Sequence, residues 1–204
     1  MATSSEMIFY RYSPENMDKN TLEKLFVGRE KLLESLFKEI ESTSRKKTPR
    51  FYLIVGPRGI GKSHLLVLLY YEIQNKLSSL LIPIKLAEEE YSVFRVSDLF
   101  LRILEEKSEN TSDILSFEQE DEILHAALEK IKQISKAEGK RYAIFIENLH
   151  ELFRQLDTEE LKKLRSIFQK NDIFSVLSTA PMIFPSISDH EEPFYNFFNV
   201  IHLG

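Results

Sequence analysis

Glycine is rationed in this chain. Only six occur among 204 residues, and three of them, Gly56, Gly59 and Gly61, fall within six positions. Glycine has no Cβ and enters left-handed backbone conformations freely, so such a cluster marks a tight turn or a close approach. The flanks say which kind. FYLIV (51–55) is a continuous apolar run of strand formers, the pattern of a parallel strand buried on both faces. KSHLLVLLYYEIQNK (62–76) has the length and leucine content of a helix covered around most of its circumference.

Between them lies GPRGIGKS (56–63), which fits the phosphate-loop pattern G-x-x-x-x-G-K-[ST]. The spacing has a chemical reason. Glycines let the backbone wrap so that successive N–H groups point inward, and the helix N-terminus behind them adds positive potential for phosphate oxygens. Gly56, Pro57, Arg58, Gly59, Ile60, Gly61, Lys62, Ser63 and His64 are therefore the candidate nucleotide-binding residues. Lys62 brings a mobile charge for the β- and γ-phosphates, and Ser63 a hydroxyl for Mg²⁺. The competing reading is a purely structural glycine turn. The bare pattern arises by chance in roughly one chain in a hundred at ordinary glycine usage; its place between strand and helix argues against chance.

The rest of the chain alternates in the same way. LLIPIKL (80–86) reads as a second strand, with Pro83 pointing to a sheet edge. SDLFLRILEEK (97–107) puts Leu99, Phe100, Ile103 and Leu104 on one helical face. Apolar residues from Phe117 to Ser135 repeat at three and four, and Gly139 ends that helix. RYAIFIE (141–147) and IFSVLST (173–179) read as strands three and four. Asp157 and Glu160 form a capping box for a helix to Lys170 between them. FNVIHL (198–203) is a fifth strand. ESTSRKKTPR (41–50) reads as a polar linker, and SENTSD (108–113) as a surface loop. Strand–helix alternation implies right-handed crossovers and an α/β fold with a parallel sheet covered on both sides.

The third strand ends in a carboxylate, Glu147, where such sheets deliver an acid to the Mg²⁺ side of the phosphates. Four segments in order then resemble the AAA+ and STAND group of P-loop ATPases, near the origin-recognition-like and archaeal-type members. They are VGRE (27–30), GPRGIGKSHLL, IFIENLHEL (144–152) and VLSTAP (176–181). They look like the family's N-terminal box, Walker A, Walker B and the strand that carries sensor 1. The resemblance implies a three-layer P-loop NTPase fold with a five-stranded sheet in the order 5-1-4-3-2. It implies ATP and Mg²⁺ as ligands, with residues 27–204 as the ATPase core and 1–26 as a preceding segment. Carried over by position, Val27 and Gly28 border the adenine through backbone groups. Ser63 and Glu147 sit on the metal side, and Ser178 or Thr179 watches the γ-phosphate or attacking water. Lys62, Glu147, Glu151 and Thr179 are the expected catalytic set.

The sequence departs from the family at three places that bear on hydrolysis. Glu147 replaces the usual aspartate and is longer by one methylene. Asn148 stands where many relatives keep a water-polarising glutamate, which leaves Glu151 as a candidate base or a solvated helix charge. No Arg follows Arg165, so an arginine finger of the ring-forming kind is not visible, with Arg154 and Arg165 as weak substitutes. The helical lid that follows strand five in the family is expected beyond Gly204, in a longer protein. These features favour a slow or partner-dependent ATPase switch. A non-hydrolysing nucleotide-dependent scaffold and a DNA-associated loader are the alternatives; a small-molecule kinase is weaker, with no Arg-rich acceptor lid.

Composition narrows the partners. Lys plus Arg number 27 against 32 Asp plus Glu, a formal charge of −5, so bulk charge does not point to nucleic acid. The short basic run Arg45, Lys46, Lys47 and Arg50 reads as a solvated linker, with a phosphate or nucleic-acid contact as the alternative. A protein partner or self-association is the expectation. The chain has no cysteine, which excludes disulfides and thiolate chemistry and fits a cytoplasmic location. The apolar run Leu65–Tyr71 is far shorter than the ~18–20 residues of a membrane span. PFYNFF (193–198) reads as core or as a docking surface; Tyr10, Tyr12 and Phe26 could pack in the core or stack near a base.

Overall fold

Residues of the first strand alternate between two apolar cores. In a computed structural model describing Leu22, Phe26 and residues 28–86 and 93–204, β1 (Phe51–Val55) sends Leu53 and Val55 to one side and Tyr52 and Ile54 to the other. β3 (Arg141–Ile146) does the same with Tyr142, Ile144 and Ile146 against Ala143 and Phe145. Burial on both faces is why these strands read as unbroken apolar runs.

β2 (Leu81–Lys85), β4 (Phe174–Ala180) and β5 (Asn199–His202) complete one sheet in the order β2-β3-β4-β1-β5, parallel throughout. This is the expected order 5-1-4-3-2 read from the other edge. The register sets Leu53 opposite Ser178 and Ile54 opposite Thr179, so the ends of β1 and β4 lie side by side. Pro83 lies on the edge strand β2, where its missing N–H costs no ladder bond.

α1 (Glu30–Arg45) and α2 (Lys62–Lys76) cover one face. α2 buries five consecutive residues, Leu65 to Leu69, as its all-round apolar sequence requires. α3 (Val96–Glu106), α4 (Glu120–Glu138), α5 (Leu149–Gln155) and α6 (Thr158–Lys170) cover the other, with a short α7 (Pro185–Ser188). Phe194 is buried in this core, and Phe197 and Phe198 pack against it beside Phe51 and Phe153. The aromatic run is therefore mostly core, with Tyr195 exposed.

Four local expectations need correction. The polar stretch 41–50 is not all linker: α1 runs to Arg45, where Glu41 and Arg45 pair at 2.8 Å one turn apart. α4 begins at Glu120 rather than Phe117, because a 3₁₀ turn at Ile114–Ser116 precedes it; three acidic residues, Glu120, Asp121 and Glu122, then start the helix. It continues past Ser135 to Glu138, where Gly139 ends it in the left-handed conformation, φ 67°. The α6 capping box is half made. Asp157 accepts from the Glu160 N–H at 2.9 Å, but the Glu160 carboxylate turns to the Val96 N–H at 2.7 Å, linking α6 to the start of α3. Finally, α5 was not anticipated: seven residues are too few for periodicity to show.

Candidate phosphate-binding site

The loop after β1 takes the shape that its glycines allow. Gly59 (φ 78°) and Gly61 (φ 96°) are both left-handed, a region that side chains with a Cβ rarely enter. Gly56 serves differently. A Cβ there would lie 2.6 Å from the Leu203 carbonyl oxygen, so only glycine lets the chain leaving β5 pass the loop's first residue. Gly61 then caps α2, and Lys62, Ser63 and His64 form the first turn of that helix. Pro57, Arg58 and Gly59 are exposed; Ile60 and His64 are half-buried.

Lys62 is buried although charged. Its Nζ donates to the carbonyls of Gly56 (2.7 Å) and Pro57 (2.9 Å), at the base of the loop. Burial pushes its pKa below the ordinary lysine value, the neighbouring Arg58 charge adds to that, and Glu147 opposes it. Burial likewise lowers the pKa of His64.

Two strand ends complete the constellation. Glu147 follows β3, is buried, and accepts a 2.5 Å hydrogen bond from the Ser63 hydroxyl. Thr179, near the end of β4, is buried and accepts the Asn148 N–H at 3.1 Å. Its neighbour Ser178 instead donates to the Tyr52 carbonyl at 2.8 Å within the sheet. The two residues thus have different partners: Thr179 holds the turn after β3, and Ser178 stitches β4 to β1. Lys62, Ser63, Glu147 and Thr179 thus come from Walker-A-like, β3 and β4 segments to one end of the sheet. The ends of parallel strands at such a switch are where α/β sheets bind ligands.

Other candidates stand apart. Glu151 lies in the first turn of α5, half-exposed, bonded to Arg154 (2.7 Å) and His150 Nε2 (3.1 Å). Arg165 donates to the Pro193 carbonyl and to that of Tyr195 (3.2 Å) while lying over the Phe197 ring. Val27, Tyr10 and Tyr12 lie outside the described residues, and Phe26 is buried in the core that α1 and α2 cover. Gly28 makes a left-handed turn (φ 85°) just ahead of α1.

Sequence reading overlooked two features. Asn148 adopts a left-handed conformation (φ 49°, ψ 49°) that asparagine tolerates better than glutamate does, which suits it to the turn between β3 and α5. Arg29 sends its guanidinium onto the loop: Nη1 donates to the Ile60 carbonyl and Nη2 to the Gly204 backbone oxygen at 3.3 Å. Only its place inside VGRE hinted at a role.

A glycine loop feeding a helix, a buried lysine at its base and a serine–carboxylate pair joining the start of that helix to the end of β3 fit a P-loop NTPase site. A profile of the AAA ATPase domain family matches residues 25–176, and the chain belongs to that family. No curated protein sequence matches it. Among solved structures, the fold is similar to the Aeropyrum pernix ORC1 protein in complex with DNA (TM-score 0.69, 14% identity, covering 96% of this chain and 48% of that one). It is similar as well to the A. pernix ORC2 protein in ADPNP–ADP complexes (0.66, 12%, 87% and 48%). Drosophila ORC bound to DNA gives 0.63 at 18% identity, with 91% and 45% covered. The chain thus spans less than half the length of these structures. The chain shares its fold with these structures. Among the described residues, no helix is long and apolar enough to cross a membrane.

Proposed function

We propose that residues 27–204 form an ATP-binding core, preceded by the segment 1–26, that works as a slow or partner-dependent ATPase switch. The observation that carries this is the Ser63–Glu147 hydrogen bond of 2.5 Å, which joins the phosphate loop to the end of β3. The donor set fits Mg²⁺: a hydroxyl and a carboxylate are hard oxygen ligands, and such sites leave room for waters and phosphate oxygens. Bound Mg²⁺ would neutralise charge on the phosphates. Ser63 and Glu147 would hold it directly or through water.

Lys62 would release the Gly56 and Pro57 carbonyls for the β- and γ-phosphates, and the amides of residues 57–63 would hold phosphate oxygens. Gly28 and Val27 would border the adenine through backbone groups. Thr179, with the Asn148 backbone fixed on its hydroxyl, would sit at the γ-phosphate edge. Glu151 is the remaining candidate for orienting water, after leaving Arg154. A cytoplasmic protein that binds ATP or ADP and a protein partner, or another copy of itself, fits this reading; no membrane is involved. A non-hydrolysing scaffold is the second reading, favoured by Asn148 at the usual glutamate position. A DNA-associated loader would show as salt-dependent DNA binding.

The test is calorimetry with Mg·ATP on the parent and on Lys62→Ala. A charge-assisted phosphate contact is worth ~1.5–3 kcal/mol, so the variant should bind at least about tenfold more weakly. Equal affinities would sink the phosphate-loop assignment.

A further inference from the structure

Arg29 is held in place before its side chain reaches anything. Gly28 turns the chain through a left-handed conformation, φ 85°, and its N–H donates to Glu30 Oε1 at 3.0 Å. The Arg29 carbonyl then accepts from the N–H groups of Leu32 and Leu33, both at 3.1 Å, so the backbone is locked as the cap of α1. In VGRE the glycine makes the turn, the glutamate secures it, and the arginine is left to project.

The guanidinium runs to the phosphate loop. Nη1 donates to the Ile60 carbonyl, and a Cβ added to Gly61 would lie 3.2 Å from that same nitrogen. Nη2 donates to the Gly204 backbone oxygen at 3.3 Å, next to Leu203, whose own carbonyl crowds Gly56. One planar fork therefore ties three segments together: the cap of α1, the middle of the phosphate loop, and the chain after β5. The location is electrostatically adverse. A cation beside Ile60 and Gly61, just ahead of α2, opposes the helix dipole. A guanidinium held there by two backbone oxygens serves the loop's shape.

We infer that Arg29 is a positioning residue that clamps the phosphate loop, through the Ile60 carbonyl, in its anion-binding conformation. This rests on the reading of residues 56–63 as a phosphate site. Arg29 acts through the loop backbone and not through the base or the phosphates. Its loss should therefore loosen the loop without ligand and weaken every phosphate ligand by a similar factor.

The experiment has two arms, on the parent, Arg29→Ala, Arg29→Gln and Arg29→Lys. Amide hydrogen exchange of the nucleotide-free protein reads the segment 57–66, where the Ile60 N–H bonds to Pro57 and the Leu65 N–H to Gly61. Calorimetry reads Mg·ATP and Mg·pyrophosphate, the second lacking any base. Arg29→Ala should speed exchange across 57–66, leave β3 protected, and lower both affinities by about tenfold, as losing a charge-assisted bond does. Arg29→Lys, with one point charge for two backbone oxygens, should recover part of both effects. If Arg29→Ala also loses protection in β3, Arg29→Gln carries the comparison in its place. Unchanged exchange across 57–66 overturns the clamp. A loss for ATP alone, with pyrophosphate binding intact, overturns it too and makes Arg29 a nucleoside contact. If the parent binds neither ligand, the phosphate-site reading fails, while the exchange arm still decides whether Arg29 holds the loop.

Discussion

Glu147 joins the end of β3 to the phosphate loop through one side chain. The shorter aspartate is usual at the end of this strand in the family; here the longer side chain reaches from the end of β3 to Ser63 Oγ, 2.5 Å away. Exchanging its carboxylate for an amide keeps the length and removes the charge. Glu147→Gln should therefore retain much of the metal-free ATP affinity and lose the tightening that Mg²⁺ brings. A magnesium titration of ATP binding checks this, and a variant that responds like the parent would remove Glu147 from the metal side. Lys62 sets a pH signature. Its pKa is depressed by burial, so the folded protein gives up that proton at lower pH than the unfolded chain. The penalty of burying the ammonium is present below the folded pKa and is relieved as pH rises through the window up to the ordinary lysine value, where stability gains. Phosphate favours the ammonium, so ATP affinity should fall through that same alkaline window. Lys62→Ala should flatten the trend, and affinity measured from neutral to alkaline pH tests it. Lys62 and Ser63 were legible because their chemistry is written in eight consecutive residues. Arg29 was not, since its targets lie 31 and 175 positions away.

Elements were legible where their signals are local and repeated. α2 shows its burial in an unbroken run of leucines, and β1 and β3 show theirs in continuous apolar stretches. A local pairing failed where a tertiary contact competes with it. The clearest case is Glu160, whose carboxylate leaves its own helix cap to satisfy the Val96 N–H on α3. Two substitutions separate these levels. Asp157→Ala removes the side chain that accepts from the Glu160 N–H and should cost about 1 kcal/mol, as N-cap losses do. Leu68→Ala, at a fully buried position of α2, should cost ~2–5 kcal/mol through lost burial and the cavity left behind. Urea midpoints give both values. A Leu68 cost no larger than the cap's would mean that α2 packs more loosely than its burial implies.

At the scale of the whole molecule, topology brings the phosphate loop and the ends of β3 and β4 together; the parallel sheet followed from strand–helix alternation, and its order from the family resemblance. Which groups would complete hydrolysis did not follow, because it depends on where individual side chains turn. The structure sharpens the doubt that the sequence raised. Asn148 occupies the usual glutamate position and caps α5 in a left-handed turn. Arg154 pairs with Glu151 at 2.7 Å, and Arg165 is bound to the Pro193 and Tyr195 carbonyls. Neither stands free as a finger, and Glu151 is spent on Arg154 and His150. An arginine finger alone is worth ~10³–10⁵ in rate in P-loop enzymes. The chain on its own should therefore bind ATP and release phosphate at well under about 1 s⁻¹, the slow end of ordinary turnover. Any residual activity should fall further in Glu151→Gln if that side chain orients the water, while Arg154→Ala, by freeing it, should not lower the rate. Multiple-turnover phosphate release by the 204 residues measures all three. Parent turnover faster than about 1 s⁻¹ would show that catalytic groups other than these are at work, and the switch reading would lose its physical basis.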